Sequence, residues 1–235
     1  MKQVSVSTSA ETIRAQPPGA IEVRNLVKEF NTEGHVRRVL DNVSFRVPMG
    51  QRMAILGRNG AGKSTLIQIL AGVQRATSGE IDRGLRMSWP LALGGGFEGE
   101  LTGYDNARFI SRLYDANFQE VYEFINDFTE MGSASLRMPV RFYSSGMRMR
   151  LAFALSLAIN FECLLIDEVL FVGDERFQKK CHFELFENRR NCAMIIAIHS
   201  GDFVRENCHT ALVLKNGRGQ VFDDLALAAD IYHAL

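Results

Sequence analysis

At 235 residues, 46% of them apolar, the chain is long enough to bury one sizeable core, or one core with a subdomain inserted in it. Lys plus Arg and Asp plus Glu both number 27, and a net charge of zero gives no footprint for nucleic acid. No apolar run approaches the roughly 20 residues that span a bilayer; the longest candidate, Leu151–Ile166, is broken by Asn160 and Glu162.

Met1–Ala20 is rich in Ser, Thr and small polar residues and lacks the apolar middle of a signal peptide. A cytoplasmic protein with a disordered tail over residues 1–20 is expected. The fold then begins near Ile21. Ile21–Val23 and Val43–Val47 read as strands, with Asn31–Arg38 between them as a charged turn. Met53–Leu56 is a short buried strand that ends in Gly57. Lys63–Ala71 is helical, with Leu66, Ile67 and Leu70 on one face and Gly72 as its stop.

Gly94-Gly95-Gly96 then reads as a hinge, followed by helical patterns at Tyr104–Tyr114 and Phe118–Met131. Pro139 and the Tyr143–Gly146 turn precede a third helix that runs to about Ile159. Cys163–Ile166 and Met194–Ile198 are continuous apolar runs, as expected of parallel strands covered on both faces. The pattern predicts an α/β core, residues 21–235, interrupted by a helical subdomain over about 97–160. Cys163, Cys181, Cys192 and Cys208 form no CxxC pair and have no metal-ligand spacing with histidine, so they read as small apolar fillers.

Gly57-Arg58-Asn59-Gly60-Ala61-Gly62-Lys63-Ser64 matches GxxxxGK[ST] in full, between a strand and a helix as its mechanism requires. Glycines let successive backbone N–H groups point inward at phosphate oxygens, and the helix adds its positive N-terminal end. Lys63 is expected to reach the β- and γ-phosphates, and the Ser64 hydroxyl to ligate Mg²⁺. The apolar run Cys163–Ile166 ends in Asp167-Glu168. Such an acidic pair also caps strand ends. Downstream of a complete phosphate loop, it reads as a magnesium ligand, Asp167, followed by a general base, Glu168. His199 follows another apolar strand, at the edge where nucleotide sites lie in open α/β sheets, which points it at the γ-phosphate. His35, His182, His209 and His233 read as surface or packing residues.

These motifs, in this order, resemble the ATPase domain of ABC transporters from Ile21 to about Phe222. The resemblance implies a P-loop NTPase of ABC ATPase type: a mixed sheet core with an inserted helical subdomain and an antiparallel β subdomain. Tyr143-Ser144-Ser145-Gly146-Met147 looks like a variant of the family signature LSGGQ, with Ser144 and Gly146 retained and Ser145 and Met147 substituted. The resemblance implies that Ser144, Ser145 and Gly146 bind the γ-phosphate held by a partner subunit. Asp174 matches the aspartate that couples the two sites across a homodimer. Phe30 is similar in place to the aromatic that stacks on adenine, with core packing as its alternative. Gly57–Thr65, meaning Gly57, Arg58, Asn59, Gly60, Ala61, Gly62, Lys63, Ser64 and Thr65, would bind ATP. The family's usual magnesium-contacting glutamine has no counterpart between Gln74 and Gln119; Leu93 or Glu98 falls near its position.

Leu93–Phe97, Leu101–Asn106, the Tyr143–Met147 turn and Asp167–Asp174 together look like the ATPases that export capsular polysaccharide, O-antigen or teichoic acid. Ser88-Trp89-Pro90-Leu91 leans toward the capsule type, as does a sequence ending at Leu235 without a carbohydrate-binding domain. That resemblance implies a peripheral ATPase on the cytoplasmic face of a bacterial inner membrane, acting on a separate integral membrane permease and not on nucleic acid. ABC ATPases of DNA repair or the ribosome carry long coiled coils or a second ATPase domain, which this sequence lacks. Glu168 speaks against a regulatory subunit without turnover.

Overall fold

The structure is a computed structural model and describes residues 19–32, 35–91, 98–167 and 174–235. Strand β1 (Ala20–Thr32) pairs antiparallel with β2 (His35–Pro48) on one side. Its other neighbour is β4 (Ser78–Arg83), again antiparallel, in a three-stranded sheet of order β2-β1-β4. On β2, Leu40, Val43, Phe45 and Val47 are buried while their neighbours face outward. That alternation is the period-2 signal of a half-covered strand.

The segment expected as a charged turn at Asn31–Arg38 is instead the end of this hairpin. Asn31 pairs with Val36, Phe30 with Arg37 and Glu29 with Arg38. Its charges do not oppose strand formation, because they stand on exposed faces and pair across the ladder: Arg38 Nε lies 2.8 Å from Glu29 Oε1.

The second sheet has six strands in the order β5-β6-β7-β3-β8-β9. It contains β3 (Arg52–Leu56), β5 (Met87–Leu91), β6 (Cys163–Asp167), β7 (Ala193–Ala197), β8 (Thr210–Lys215) and β9 (Arg218–Phe222). All its pairings are parallel except β8 with β9. The strand expected at Met194–Ile198 begins one residue earlier, and Ile198 follows it as a buried residue.

Alternate residues of the central strands feed two separate cores. Met53, Ile55, Cys163, Leu165, Ala193 and Ile195 pack toward the first sheet and α1 (Lys63–Leu70), whose Leu66, Ile67, Ile69 and Leu70 are all buried. Ala54, Leu56, Leu164, Ile166, Met194 and Ile196 face the opposite side, where helices cover them. Burial on both faces explains why these strands read as unbroken apolar runs.

Helices α2 (Gly103–Leu113), α3 (Phe118–Thr129), α4 (Gly132–Leu136) and α5 (Ser145–Ala158) lie between β5 and β6. Thr102, Asn117 and Ser144 cap α2, α3 and α5 by accepting from Asp105 N, Gln119 N and Met147 N. After β6 come α6 (Glu175–His182), which continues into a wider helical turn over Phe183–Asn188, then α7 (Gly201–Asn207) and α8 (Leu225–His233).

All four cysteines are buried thiols. The tail expected over residues 1–20 lies outside the described residues except for Gly19 and Ala20, and Ala20 opens β1. The hinge at Gly94–Gly96, together with Leu93, lies outside them as well.

Candidate nucleotide site

Central strand β3 delivers the phosphate loop. It runs parallel to both β7 and β8, so the chain leaves the sheet at the C-terminal edge of a central strand. Gly57 makes the exit: a Cβ on it would stand 2.7 Å from the Leu214 carbonyl oxygen of β8. Gly60 and Gly62 have φ of 82° and 108°, values that favour glycine. Gly62 is also the cap residue of α1, and it offers no side chain to the helix's first N–H groups. By contrast α2, α3, α5, α6, α7 and α8 each begin with a side-chain cap. The start of α1 therefore keeps its donors and its positive end for an anion.

A cavity of about 560 Å³ opens at this point, lined by Phe30, Arg37, Val39, Asn59, Gly60, Gly62, Lys63, Ser64 and Thr65. Lys63 is buried, and its ammonium donates to the Gly57 carbonyl at 2.7 Å. Its second carbonyl neighbour is Arg58, at 3.5 Å. Arg58 turns away, its guanidinium donating to the Leu235 carbonyl at 3.0 Å. Phe30 is 36% exposed on the cavity wall, so its alternative as a core residue fails. Its cross-strand partner Arg37 lines the same cavity, and Lys28 Nζ sits 4.7 Å from the Phe30 ring centroid. Arg37 is hidden from sequence reasoning because the charged segment Asn31–Arg38 reads as a turn, and Val39 because it lies just beyond that segment. Their alternation along β2, opposite Phe30, is the signal that could have found them.

Asp167 ends β6 and is buried, and the Ser64 hydroxyl faces it at 3.5 Å from Oδ1. A hydroxyl and a carboxylate facing each other beside a phosphate cradle are hard oxygen donors of the kind Mg²⁺ takes. Glu168 lies outside the described residues. His199 stands two residues past the end of β7, and its Nδ1 is 2.9 Å from the Tyr232 hydroxyl of α8.

The remaining predicted residues lie elsewhere. Ser144, Ser145 and Gly146 are exposed at the start of α5 and do not line the cavity. Asp174 caps α6 by accepting from Phe177 N at 2.9 Å, and its second oxygen meets Arg150 of α5. The Phe177 N–H bond, aided by the Arg150 charge, holds the Asp174 carboxyl below the usual carboxylate range. Glu98 lines a different, apolar cleft with Trp89, Leu101, Phe109, Ile110, Leu113 and Tyr114.

A family model described as ABC transporter matches residues 40–170. The ATP-binding protein BexA of Haemophilus influenzae is 48% identical over 213 residues, covering 91% of this chain and 98% of its own. The capsule polysaccharide export ATP-binding protein CtrD of Neisseria meningitidis serogroup B is 47% identical, covering 92% and 99%. Among solved structures, a dimeric ATP-binding cassette in a post-hydrolysis state with ADP and Pi superposes with a TM-score of 0.74 over 86% of this chain and 98% of that one. At 17% identity that likeness speaks for the fold alone.

Proposed function

The chain belongs to the ABC transporter family, and from that premise we propose that it is the ATP-hydrolysing subunit that powers export of a cell-surface polysaccharide, of capsular type, through a separate membrane subunit. The observation that carries the catalytic half is the uncapped start of α1 behind the phosphate loop, with Asp167 facing Ser64 beside it. The polysaccharide half rests on the capsule-export relative, to which this chain is 47% identical across nearly its whole length.

In this reading the loop residues Gly57–Thr65 wrap the phosphates of ATP with backbone N–H groups. Lys63 exchanges the Gly57 carbonyl for the β- and γ-phosphates, a stronger charge-assisted partner. Phe30 stacks on adenine, leaving Arg37 beside it. Ser64 and Asp167 would hold Mg²⁺, which when bound neutralises phosphate charge. Glu168 polarises the attacking water, and His199 donates to the γ-phosphate.

Two copies face head to tail. Ser144, Ser145 and Gly146 of one complete the phosphate shell of the other, so that ATP favours the closed pair and hydrolysis releases it. Asp174, capping α6 and tied to the helix that carries Ser145 and Gly146, lies at that junction. The chain itself sits on the cytoplasmic side of the inner membrane. Its membrane subunit docks in the apolar cleft between β5 and α2, where Leu101, Phe109 and Leu113 are exposed.

The test is ATP hydrolysis by the wild type beside Glu168→Gln, with particle size measured in ATP and Mg²⁺. The expected result is turnover by the wild type, and a Glu168→Gln variant that binds ATP, stalls and sediments as a dimer. Equal turnover by both removes Glu168 from its role; failure of both to bind ATP removes the nucleotide site itself.

A further inference from the structure

His199 occupies a short link between two rigid parts. Behind it β7 ends at Ala197 and Ile198 is buried. Ahead of it Ser200 caps α7, its hydroxyl accepting from Phe203 N at 3.3 Å. The backbone is thus fixed on both sides, but an imidazole on a fixed backbone still has to choose which nitrogen carries its proton.

That choice matters for the proposed contact. Phosphate oxygens accept hydrogen bonds and do not donate them, and a neutral imidazole has one N–H. If Nε2 is to donate to the γ-phosphate, Nδ1 must be an acceptor. The neighbour at Nδ1 is the Tyr232 hydroxyl, 2.9 Å away, and a phenol can donate there. The two ring centroids lie 6.3 Å apart with planes inclined by 39°, so the contact between the residues is the one through the hydroxyl and not a stacked pair.

Tyr232 is not a mobile surface residue reaching in from a tail. It stands on α8, where Asp224 caps the first turn by accepting from both Ala226 N and Leu227 N at 3.0 Å. Ala228 and Ala229 are buried. Helix α8 lies close against the start of α7: a Cβ on Gly201 would stand 3.3 Å from Ala229 Cβ and 3.2 Å from His233 Nε2. The helix bearing Tyr232 is therefore locked to the residues that directly follow His199.

We propose that Tyr232 is a positioning residue that holds His199 in the Nε2–H form by donating to its Nδ1, and so makes the C-terminal helix α8 part of the hydrolytic machinery. The inference rests on the reading of His199 as the γ-phosphate contact. It needs no movement of α8, only that its hydroxyl be present and its packing intact.

The experiment measures steady-state ATP hydrolysis for Tyr232→Phe, His199→Ala and the double variant, together with thermal stability and the ¹⁵N spectrum of the imidazole in the full chain. The expected result is a kcat about tenfold lower for Tyr232→Phe, the scale of one lost hydrogen bond. The KM for ATP and the melting temperature stay near wild type. His199→Ala is slower still, and adding Tyr232→Phe to it changes nothing more. In the spectrum, His199 is a single Nε2–H species in the wild type and a mixture in Tyr232→Phe.

Wild-type kcat for Tyr232→Phe, with His199→Ala inactive, overturns the role of Tyr232 and leaves that of His199 standing. Additive losses in the double variant also overturn it, since Tyr232 would then act independently of His199. Wild-type kcat for His199→Ala removes the γ-phosphate contact and the inference with it.

Discussion

Arg150 of α5 and Asp174, the cap of α6, meet at 2.6 Å, which ties the helix opened by Ser144–Gly146 to the residue expected to couple two nucleotide sites. The same guanidinium donates to the Thr129 carbonyl at 3.2 Å and lies 5.0 Å from the Phe177 ring centroid. The ion pair is partly solvated, on its Asp174 side above all, and contributes little by itself, so the carbonyl bond and the ring contact set most of the cost of losing Arg150. We expect Arg150→Ala to lower stability by about 1–2 kcal/mol in urea unfolding. Arg150→Lys should lose nearly as much, because an ammonium cannot serve three partners with one planar fork.

Asp174 gives that junction a pH dependence with a definite sign. Its carboxyl is held below the ordinary value, first by the Phe177 N–H bond. A folded value below the unfolded one means its stabilisation is complete above the unfolded value of about 4 and is lost as pH falls through the folded value. Asp174→Asn keeps the cap and removes the titration. The stability gap between wild type and Asp174→Asn should therefore be constant from pH 5 to 8 and shift only below about pH 4, as read by unfolding at each pH. A gap that moves between pH 6 and 8 would show another group at work.

The phosphate loop separates steric from conformational demand. At Gly57 a Cβ would press on the Leu214 carbonyl at 2.7 Å and on Ala61 Cβ at 3.0 Å, inside a buried bend. At Gly60 nothing lies within 4 Å, and only its φ of 82° resists a side chain. Gly57→Ala should cost about 1–3 kcal/mol through overpacking, and Gly60→Ala about 1 kcal/mol through the left-handed backbone alone. Denaturant midpoints in the absence of nucleotide check the order. A larger loss at Gly60 would mean that the loop relaxes around Gly57.

What could be read from the sequence was whatever local rules decide. The run Met53–Leu56, the glycines and the helix from Lys63 were legible because burial, turn and cap signals lie within a dozen residues of one another. Helices α2 and α3 are legible as helical patterns, while their caps Thr102 and Asn117 emerge only in the structure. Strand β4 did not: Ser78–Arg83 is mostly exposed and polar, and exists because β1 offers it a ladder. Strand β5 contains Pro90, which lacks a ladder donor and is tolerated because β5 is an edge strand, a placement only the fold supplies. Helix α4 is too short for a period to show. Within the site, Lys63, Ser64 and Asp167 were legible from motif, whereas Arg37 and Tyr232 depend on partners brought together by the fold.

The buried thiols make a chemical prediction. Burial pushes Cys192 up to about 11 and Cys181 and Cys208 up to about 12, and raises Cys163 as well. At pH 8 a thiol near 11 is about one-thousandth thiolate, against roughly a quarter for an unfolded cysteine. Disulfide-exchange reagents should label the native chain at least about 100-fold more slowly than the urea-unfolded chain, which should yield four thiols. Rapid labelling of one thiol in the native chain would reveal local opening around it.

The apolar cleft offers the sharpest separation of motor from coupling. Leu113 is 60% exposed and Phe109 55% exposed, on α2 above Trp89, far in character from the polar cavity at the phosphate loop. Such exposure means Leu113→Glu removes little buried area and should change stability by less than about 0.5 kcal/mol. ATP hydrolysis by the isolated chain should be unaltered, because no residue of the cleft lines the nucleotide cavity. Assembly is another matter. A carboxylate buried against an apolar partner surface costs several kcal/mol, enough to weaken docking by about 100-fold or more. In cells, surface polysaccharide should fall sharply and the ATPase should fail to co-purify with the membrane subunit. Val73, 69% exposed away from the cleft, supplies the control, since Val73→Glu should leave both readouts at wild-type level. If Leu113→Glu also exports normally, the membrane subunit docks on some other face.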